Sequence, residues 1–137
     1  MLKEKICAGI IIDNLSRILL VKRKYNLKSL PNYWWIPGWH IEDWETLEQS
    51  VIREVKEEVW LDFSIIKLFE TAELINKENN KIKIIHRFLG NVSWNIVIQE
   101  NECDWFAWYN YDELVGLLIN SNLRATIDKL KLNNIIK

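Results

Sequence analysis

Three glutamates in one short segment, Glu54, Glu57 and Glu58, constrain this chain more than any other feature of its sequence. On a helix, their spacing places all three carboxylates on one face. Like charges at this spacing repel one another, by roughly 0.2–0.5 kcal/mol per pair on an isolated helix. A bound cation would offset that repulsion, and Mg²⁺ prefers carboxylate and phosphate oxygens as ligands. The alternative is a solvated, charged helix face, which is common in proteins.

The residues before the glutamates predict where their helix begins. Pro37 and Gly38 make a turn. Further on, Thr46 and Gln49 have the spacing of a capping box, which predicts a helix from about Leu47. The apolar residues after this point recur at every fourth position and predict the buried stripe of this helix: Leu47, Val51 and Val55.

Together these residues resemble the Nudix box, the signature of the Nudix hydrolases, over residues 39–61. The charged positions of that signature fall on Glu45, Arg53, Glu54, Glu57 and Glu58. Its aliphatic positions fall on Val55 and Leu61. The order of predicted elements on either side of the box is also similar to that of a Nudix domain.

The resemblance implies an enzyme, a nucleotide pyrophosphohydrolase. Such enzymes use water and Mg²⁺ or Mn²⁺ to cleave a phosphoanhydride bond in a nucleoside diphosphate linked to another moiety. The implied metal ligands are Glu54, Glu57 and Glu58. Arg53, which is placed to pair with Glu45, is expected to orient a box glutamate by a charge-assisted hydrogen bond. The carboxylate that takes the proton of water stays open between the box glutamates and an acidic loop over residues 99–104, where the candidates are Glu100, Glu102 and Asp104, with Glu102 preferred.

The resemblance also implies contacts to the substrate. Gly38 and Trp39 stand where the family brings its backbone close to phosphate, and Arg23 lies at the basic end of the second predicted strand. For Arg23, a solubilising strand end is the alternative. A (d)NTP or related nucleotide is the favoured substrate, while dinucleoside polyphosphates, ADP-ribose and nucleotide sugars stay open. The alternative function is a Nudix-like module that binds a nucleotide with weak or no hydrolysis.

Tryptophan stands where the box pattern has glycine, or where glycine usually precedes its first glutamate: Trp39, Trp44 and Trp60. Three more tryptophans stand at places where glycine would be natural: Trp35, Trp94 and Trp105. The chain has 8 Trp and only 4 Gly. Average glycine usage of about 7% predicts roughly ten glycines.

One hypothesis accounts for this composition: the gene uses UGA as a glycine codon, and the codon was read as tryptophan. Some bacterial lineages reassign UGA in this way, and UGA differs from the glycine codon GGA by one base. The alternative is six genuine tryptophans with an unusual aromatic role. Under either hypothesis, Trp39 and Trp60 in this polypeptide are expected to distort the loop–helix–loop and to weaken metal binding and activity.

Composition narrows the remaining choices. The chain has 137 residues, which predicts a single domain over residues 1–137. Its net charge of −1 gives no reason to expect a stable nucleic-acid partner. Cys7 and Cys103 are far apart and predict reduced thiols in a cytoplasmic protein. No apolar run is long enough to cross a membrane. Homodimers occur among Nudix proteins, and the sequence leaves the oligomeric state open.

The expected fold class is α/β (α+β), a Nudix-like α/β/α sandwich with a mixed β-sheet and a loop–helix–loop catalytic motif. A bulge is expected near Glu70 in the fourth strand. Strands are predicted at residues 6–12, 17–24, 34–37, 62–75, 81–93 and 106–109. Helices are predicted from about residue 47, at residues 112–119 and at residues 123–136.

Overall fold

The computed structural model describes residues 2–22, 32–92 and 106–137. The strands are β1 (Leu2–Ile11), β2 (Ile18–Lys22), β3 (Trp34–Trp35), β4 (Phe63–Asn76), β5 (Lys81–Val92) and β6 (Phe106–Tyr109). The helices are α1 (Leu47–Val59) and α2 (Ser121–Leu132), with a short 3-10 helix at Asp112–Gly116.

The described strands form two three-stranded sheets. In the first, β5 lies between β1 and β4, parallel to β1 and antiparallel to β4, so the sheet is mixed. In the second, β2 lies between β3 and β6 and is antiparallel to both. The β4–β5 pairing shifts register between Leu68 and Glu70, which confirms the bulge predicted there.

Helix α1 begins where the capping box predicts. The hydroxyl of Thr46 accepts a hydrogen bond from the backbone N–H of Gln49 at 3.1 Å, and the side chain of Gln49 accepts from the N–H of Thr46 at 2.9 Å. These bonds satisfy two of the N–H groups that a helix start leaves unpaired. The helix ends at Val59, and Trp60 follows in the left-handed conformation.

Strand β1 separates two hydrophobic cores because its side chains alternate between the faces of the sheet. Cys7 and Ile11 pack in the core that contains α1, whose buried apolar residues are Val51, Val55 and Val59. Ile6 and Ile10 pack in the core that contains Leu123, Ile127 and Leu130 of α2. The first sheet therefore lies between the two helices. Leu47, expected in the buried stripe of α1, is only partly buried.

The C-terminal helices differ from their predicted bounds. A helix was predicted over residues 112–119, but only Asp112–Gly116 is helical, as a short 3-10 helix. Helix α2 starts earlier than predicted because Asn120 caps it, its side chain accepting from the N–H of Leu123 at 2.9 Å. It ends at Leu132, so Ile135, expected on its inner face, lies beyond the helix and is half-buried.

Candidate active site

A loop at residues 37–40 runs along the edge of β1 and leads towards α1. The N–H of Gly9 donates to the carbonyl of Pro37 at 2.7 Å, and the N–H of Cys7 donates to the carbonyl of Trp39 at 3.2 Å. Between these bonds, Gly38 has a φ of 130°, and a Cβ added there would lie 2.4 Å from the carbonyl oxygen of Cys7. A residue with a side chain would therefore push the loop away from the strand.

The same glycine joins this loop to the box helix. The N–H of Gly38 donates to Oε2 of Glu58 at 3.3 Å. Burial of Glu58, with the nearby charge of Glu54, raises its pKa to about 8, even though this hydrogen bond acts in the opposite direction. Burial raises the pKa of Glu54 as well. Both carboxyl groups lie where ionisation is costly without a positive partner.

Arg53 supplies positive charge at the centre of this cluster. Its Nε and Nη2 donate to the two carboxylate oxygens of Glu45, at 2.7 and 2.9 Å, so the predicted pairing is observed. Its Nη1 lies 3.1 Å from Glu57 and 3.3 Å from Glu54. Its Nη2 also donates to the carbonyl of His40 at 3.0 Å, so Arg53 connects the helix to the preceding loop.

The three glutamates of the cluster differ in exposure, and Glu58 is half-buried. The side chain of Glu57 is 59% exposed, whereas that of Glu54 is 10% exposed. Within residues 2–22, 32–92 and 106–137, no group of three or more His, Cys, Asp or Glu side chains is arranged closely enough to hold a metal ion. The oxygen donors on α1 nevertheless fit a hard divalent cation in chemical type, and a cation would offset both the burial and the repulsion by Glu54 that raise the pKa of Glu58.

Several predicted site residues lie outside the described residues. These are Arg23, the loop carboxylates Glu100, Glu102 and Asp104, and the tryptophans Trp94 and Trp105. Their proposed roles stay predictions. Cys103 also falls there, while Cys7 is a buried free thiol.

A buried chain of hydrogen bonds under the loop was not predicted. The thiol of Cys7 donates to the hydroxyl of Ser50 at 3.3 Å, and that hydroxyl donates to the carbonyl of His40 at 2.9 Å. Ser50 is fully buried on α1 and holds the loop against the helix. Ser50 lies three residues after Leu47 and four before Glu54. This helical spacing could have identified Ser50 from the sequence as a residue on the same face of the helix.

One box tryptophan, Trp60, has a backbone conformation that suits glycine. Trp60 has φ 61° and ψ 29°, and this left-handed conformation costs a residue with a Cβ about 1–2 kcal/mol. Its indole is 45% exposed, and that of Trp44 is 74% exposed. Trp35 is buried, but its indole N–H has no hydrogen-bond partner among the described residues. By contrast, Trp34 packs edge-on against Tyr109, with ring centroids 5.2 Å apart.

A family of known proteins matches most of this chain. The family model described as "NUDIX domain" matches residues 3–130. An 8-oxo-dGTP diphosphatase of Proteus vulgaris is 37% identical over 71 residues, which cover 51% of this chain and 62% of the relative. An RNA pyrophosphohydrolase of Wolbachia sp. subsp. Brugia malayi (strain TRS) is 30% identical over 121 residues, 86% of this chain and 67% of the relative. The chain thus spans less than two thirds of the diphosphatase.

Solved structures resemble the whole described fold. A MutT NUDIX hydrolase from Burkholderia pseudomallei gives a TM-score of 0.76 at 21% identity, over 95% of this chain and 99% of that one. A MutT protein from Methanosarcina mazei Go1 gives 0.77 at 19%, over 97% and 96%. At these identities the likeness shows the fold alone, and it confirms the expected α+β fold with a mixed sheet. No helix in the described ranges is long and apolar enough to span a membrane.

Proposed function

Because this chain belongs to the Nudix hydrolase family, we propose that it hydrolyses a phosphoanhydride bond in a nucleoside diphosphate linked to another moiety. The preferred substrate class is a (d)NTP or a related nucleotide. The names of two relatives, an 8-oxo-dGTP diphosphatase and an RNA pyrophosphohydrolase, agree with cleavage of a phosphoanhydride in a nucleotide or at an RNA end.

One observation carries the proposal: the box carboxylates crowd around a single guanidinium. Arg53 contacts Glu45, Glu54 and Glu57. Glu58 lies on the same helix, half-buried and with its pKa raised to about 8. Crowded carboxyl groups with perturbed pKa values, beside a glycine loop, are typical of a functional site rather than of a solvated helix face.

Nudix hydrolases generally use a divalent metal, and in this chain Glu54, Glu57 and Glu58 would hold Mg²⁺ or Mn²⁺. Bound there, the ion would supply positive charge that neutralises phosphate oxygens and the charge that builds up on the leaving group. All three donors are carboxylate oxygens, the ligand type that such ions prefer.

The chain's own residues prepare the reaction. The oxygen of water attacks phosphorus, the anhydride P–O bond breaks, and a carboxylate takes the proton that water loses. That carboxylate is one of the box glutamates, Glu57 or Glu54, or it is Glu102. Arg53 fixes the positions of Glu54 and Glu57 by charge-assisted hydrogen bonds. Gly38 and Trp39, with Arg23, are the proposed substrate contacts.

The test is a panel of (d)NTPs, 8-oxo-dGTP, dinucleoside polyphosphates, ADP-ribose and nucleotide sugars. Each would be incubated with the protein and Mg²⁺, and the phosphate-containing products identified by chromatography. Release of pyrophosphate or phosphate together with a nucleotide supports the proposal. The proposal is contradicted if neither the folded chain nor its version with glycine at the six tryptophan positions cleaves any of these compounds.

The second candidate function is a nucleotide-binding module with weak or no activity, and two features of the box support it. Trp60 follows α1 in a strained left-handed conformation. Arg53 already donates hydrogen bonds to Glu54 and Glu57, two of the proposed metal ligands. The NUDIX domain of Shewanella oneidensis NrtR in complex with ADP ribose matches with a TM-score of 0.76 at 16% identity, over 98% of this chain and 90% of that one. Tight nucleotide binding without hydrolysis, also after Trp60→Gly, would favour this candidate.

A further inference from the structure

A lysine on β5 makes an unusual contact beside the candidate active site. The ammonium Nζ of Lys83 lies 4.3 Å from the ring centroid of Trp39, a cation–π distance. No carboxylate of the described residues lies within ion-pair distance of this ammonium. Glu4, its register neighbour on β1, makes no such pair. Lys83 therefore has an aromatic face as its partner, and its charge is available to a ligand.

Lys83 lies at the margin of a hydrophobic core. In the register of the sheet, Lys83 lies opposite Leu74 on β4. The next row on the same face consists of Ile6, Ile85 and Ala72, of which Ile6 and Ile85 are fully buried. Trp39 packs against the core to which this row belongs. The indole of Trp39 is half-buried in that environment, so a planar group already occupies part of the surface.

The position of Trp39 connects this surface to the phosphate end of the site. Trp39 directly follows Gly38, whose N–H lies 3.3 Å from the carboxylate of Glu58. A nucleotide with its phosphates near Glu58 would extend its base past this loop, towards the surface that carries Lys83. The metal-binding carboxylates and Lys83 would then contact opposite ends of one substrate.

We propose that Lys83 is a specificity residue that donates hydrogen bonds to the acceptor edge of a guanine-type base. The inference rests on the proposed function and narrows its substrate class. An ammonium has three donors and no acceptor. Guanine presents two neighbouring acceptors, O6 and N7, whereas adenine places an amino donor beside N7. Lys83 should therefore favour guanine nucleotides, and the indole of Trp39 should compete with the base for its ammonium.

The experiment compares the binding of guanine and adenine nucleotides by the protein with and without Lys83. Lys83→Met would be made in the chain as it stands and in a Trp39→Gly background, with Lys77→Met as control, because Lys77 lies in the exposed β4–β5 turn. Calorimetry would give the Kd for GMP and AMP, which requires no turnover. Steady-state assays would give kcat and KM for GTP and ATP.

The expected result is selective for the base. Lys83→Met should weaken GMP binding roughly tenfold or more, the range for a hydrogen bond to a charged group, and leave AMP almost unchanged. The loss should be larger in the Trp39→Gly background, where the ammonium is released from the indole. For GTP, it should show in KM rather than in kcat. Lys77→Met should change neither nucleotide.

Two results would overturn the inference. Equal weakening of GMP and AMP would mean that Lys83 attracts phosphate and does not read the base. No weakening of GMP or AMP binding in either background, with thermal melts that confirm folding, would mean that Lys83 does not take part in nucleotide binding. Base-selective GMP binding without hydrolysis of any nucleotide would leave the role of Lys83 in place and contradict the proposed function instead.

Discussion

Arg53 and Glu45 form a bidentate ion pair, with Nε 2.7 Å from one carboxylate oxygen and Nη2 2.9 Å from the other. Glu45 stands just before α1 and its side chain is 1% exposed, while Arg53 lies on the second turn of the helix. The pair fixes the guanidinium, and the guanidinium in turn contacts Glu54 and Glu57. We infer that Glu45 positions Arg53 and that Arg53 positions the proposed metal ligands.

Arg53→Lys should therefore impair activity more than it impairs folding. A lysine keeps the charge but cannot make the planar, two-pronged contact to Glu45. Loss of a group that orients metal ligands typically costs roughly 10–100-fold in metal affinity or activity. We expect a reduction of that size in kcat/KM, and titration with Mg²⁺ should show a higher half-saturation concentration.

The control for Arg53→Lys is Arg17→Lys. Arg17 pairs with Asp13 at 2.7 Å, is also partly exposed and lies in the turn between β1 and β2. This variant should leave activity unchanged. Equal activity of the Arg53→Lys variant and the unmodified chain would contradict the positioning role.

Glu70 and Arg87 form a second ion pair, away from the box. Arg87 is 1% exposed and its Nη1 lies 2.9 Å from Glu70, which also accepts from Lys129 and from the hydroxyl of Thr126. Nη2 of Arg87 donates to Asn122. Burial opposes ionisation of Glu70, but these hydrogen bonds hold its pKa below the usual value. The network joins the β4–β5 hairpin to α2.

Glu70→Leu should destabilise the protein strongly. It leaves the guanidinium of Arg87 buried without a counter-charge, and breaking a buried pair in this way costs about 3–5 kcal/mol. Urea denaturation would measure the loss in free energy of unfolding. The double variant Glu70→Leu/Arg87→Met should recover most of it, since it removes both charges. A Glu70→Leu variant as stable as the unmodified chain would show that water or another group already compensates Arg87.

Trp60→Gly should stabilise the protein, although it removes a large side chain. The left-handed conformation at this position costs a residue with a Cβ about 1–2 kcal/mol, and glycine adopts it freely. The measured quantity is again the free energy of unfolding. Trp44→Gly is the matched control, because Trp44 is exposed and has no positive φ. A gain at Trp44 equal to that at Trp60, or a loss at Trp60, would contradict the assignment of strain to Trp60.

The gene sequence tests the codon hypothesis. We expect UGA at all six positions where tryptophan replaces glycine: Trp35, Trp39, Trp44, Trp60, Trp94 and Trp105. Trp34, which packs edge-on against Tyr109, should have the ordinary codon UGG. UGG codons at the six positions would contradict the hypothesis and make the strained Trp60 a native feature.

Features set by neighbouring residues could be predicted from the sequence. The start of α1 follows from the capping box of Thr46 and Gln49, and the glutamate cluster follows from helical spacing. The pairing of Arg53 with Glu45 could be anticipated because both lie within one loop–helix segment. By contrast, only Asp112–Gly116 of the predicted helix over residues 112–119 is helical, as a 3-10 helix, because the helix ends at Gly116 and Leu117 is extended.

Contacts between distant segments could not be predicted in this way. Arg87 contacts Asn122, and Glu70 contacts Lys129, only because α2 packs on the β4–β5 hairpin. Lys83 reaches Trp39 only because β5 pairs with β1, and the loop that carries Trp39 runs along the other edge of β1. No sequence spacing predicts either contact, and a single lysine in a strand does not by itself indicate a binding role.

The most direct test of the central claim is nucleotide hydrolysis with Mg²⁺ and with EDTA. It would compare the chain as it stands, its version with glycine at the six positions, and Glu57→Gln in that version. We predict turnover by the glycine version that EDTA abolishes and that Glu57→Gln lowers by roughly 100-fold or more, the scale of a lost catalytic acid or base. Turnover that survives both EDTA and Glu57→Gln would contradict a metal-dependent site built on the box glutamates.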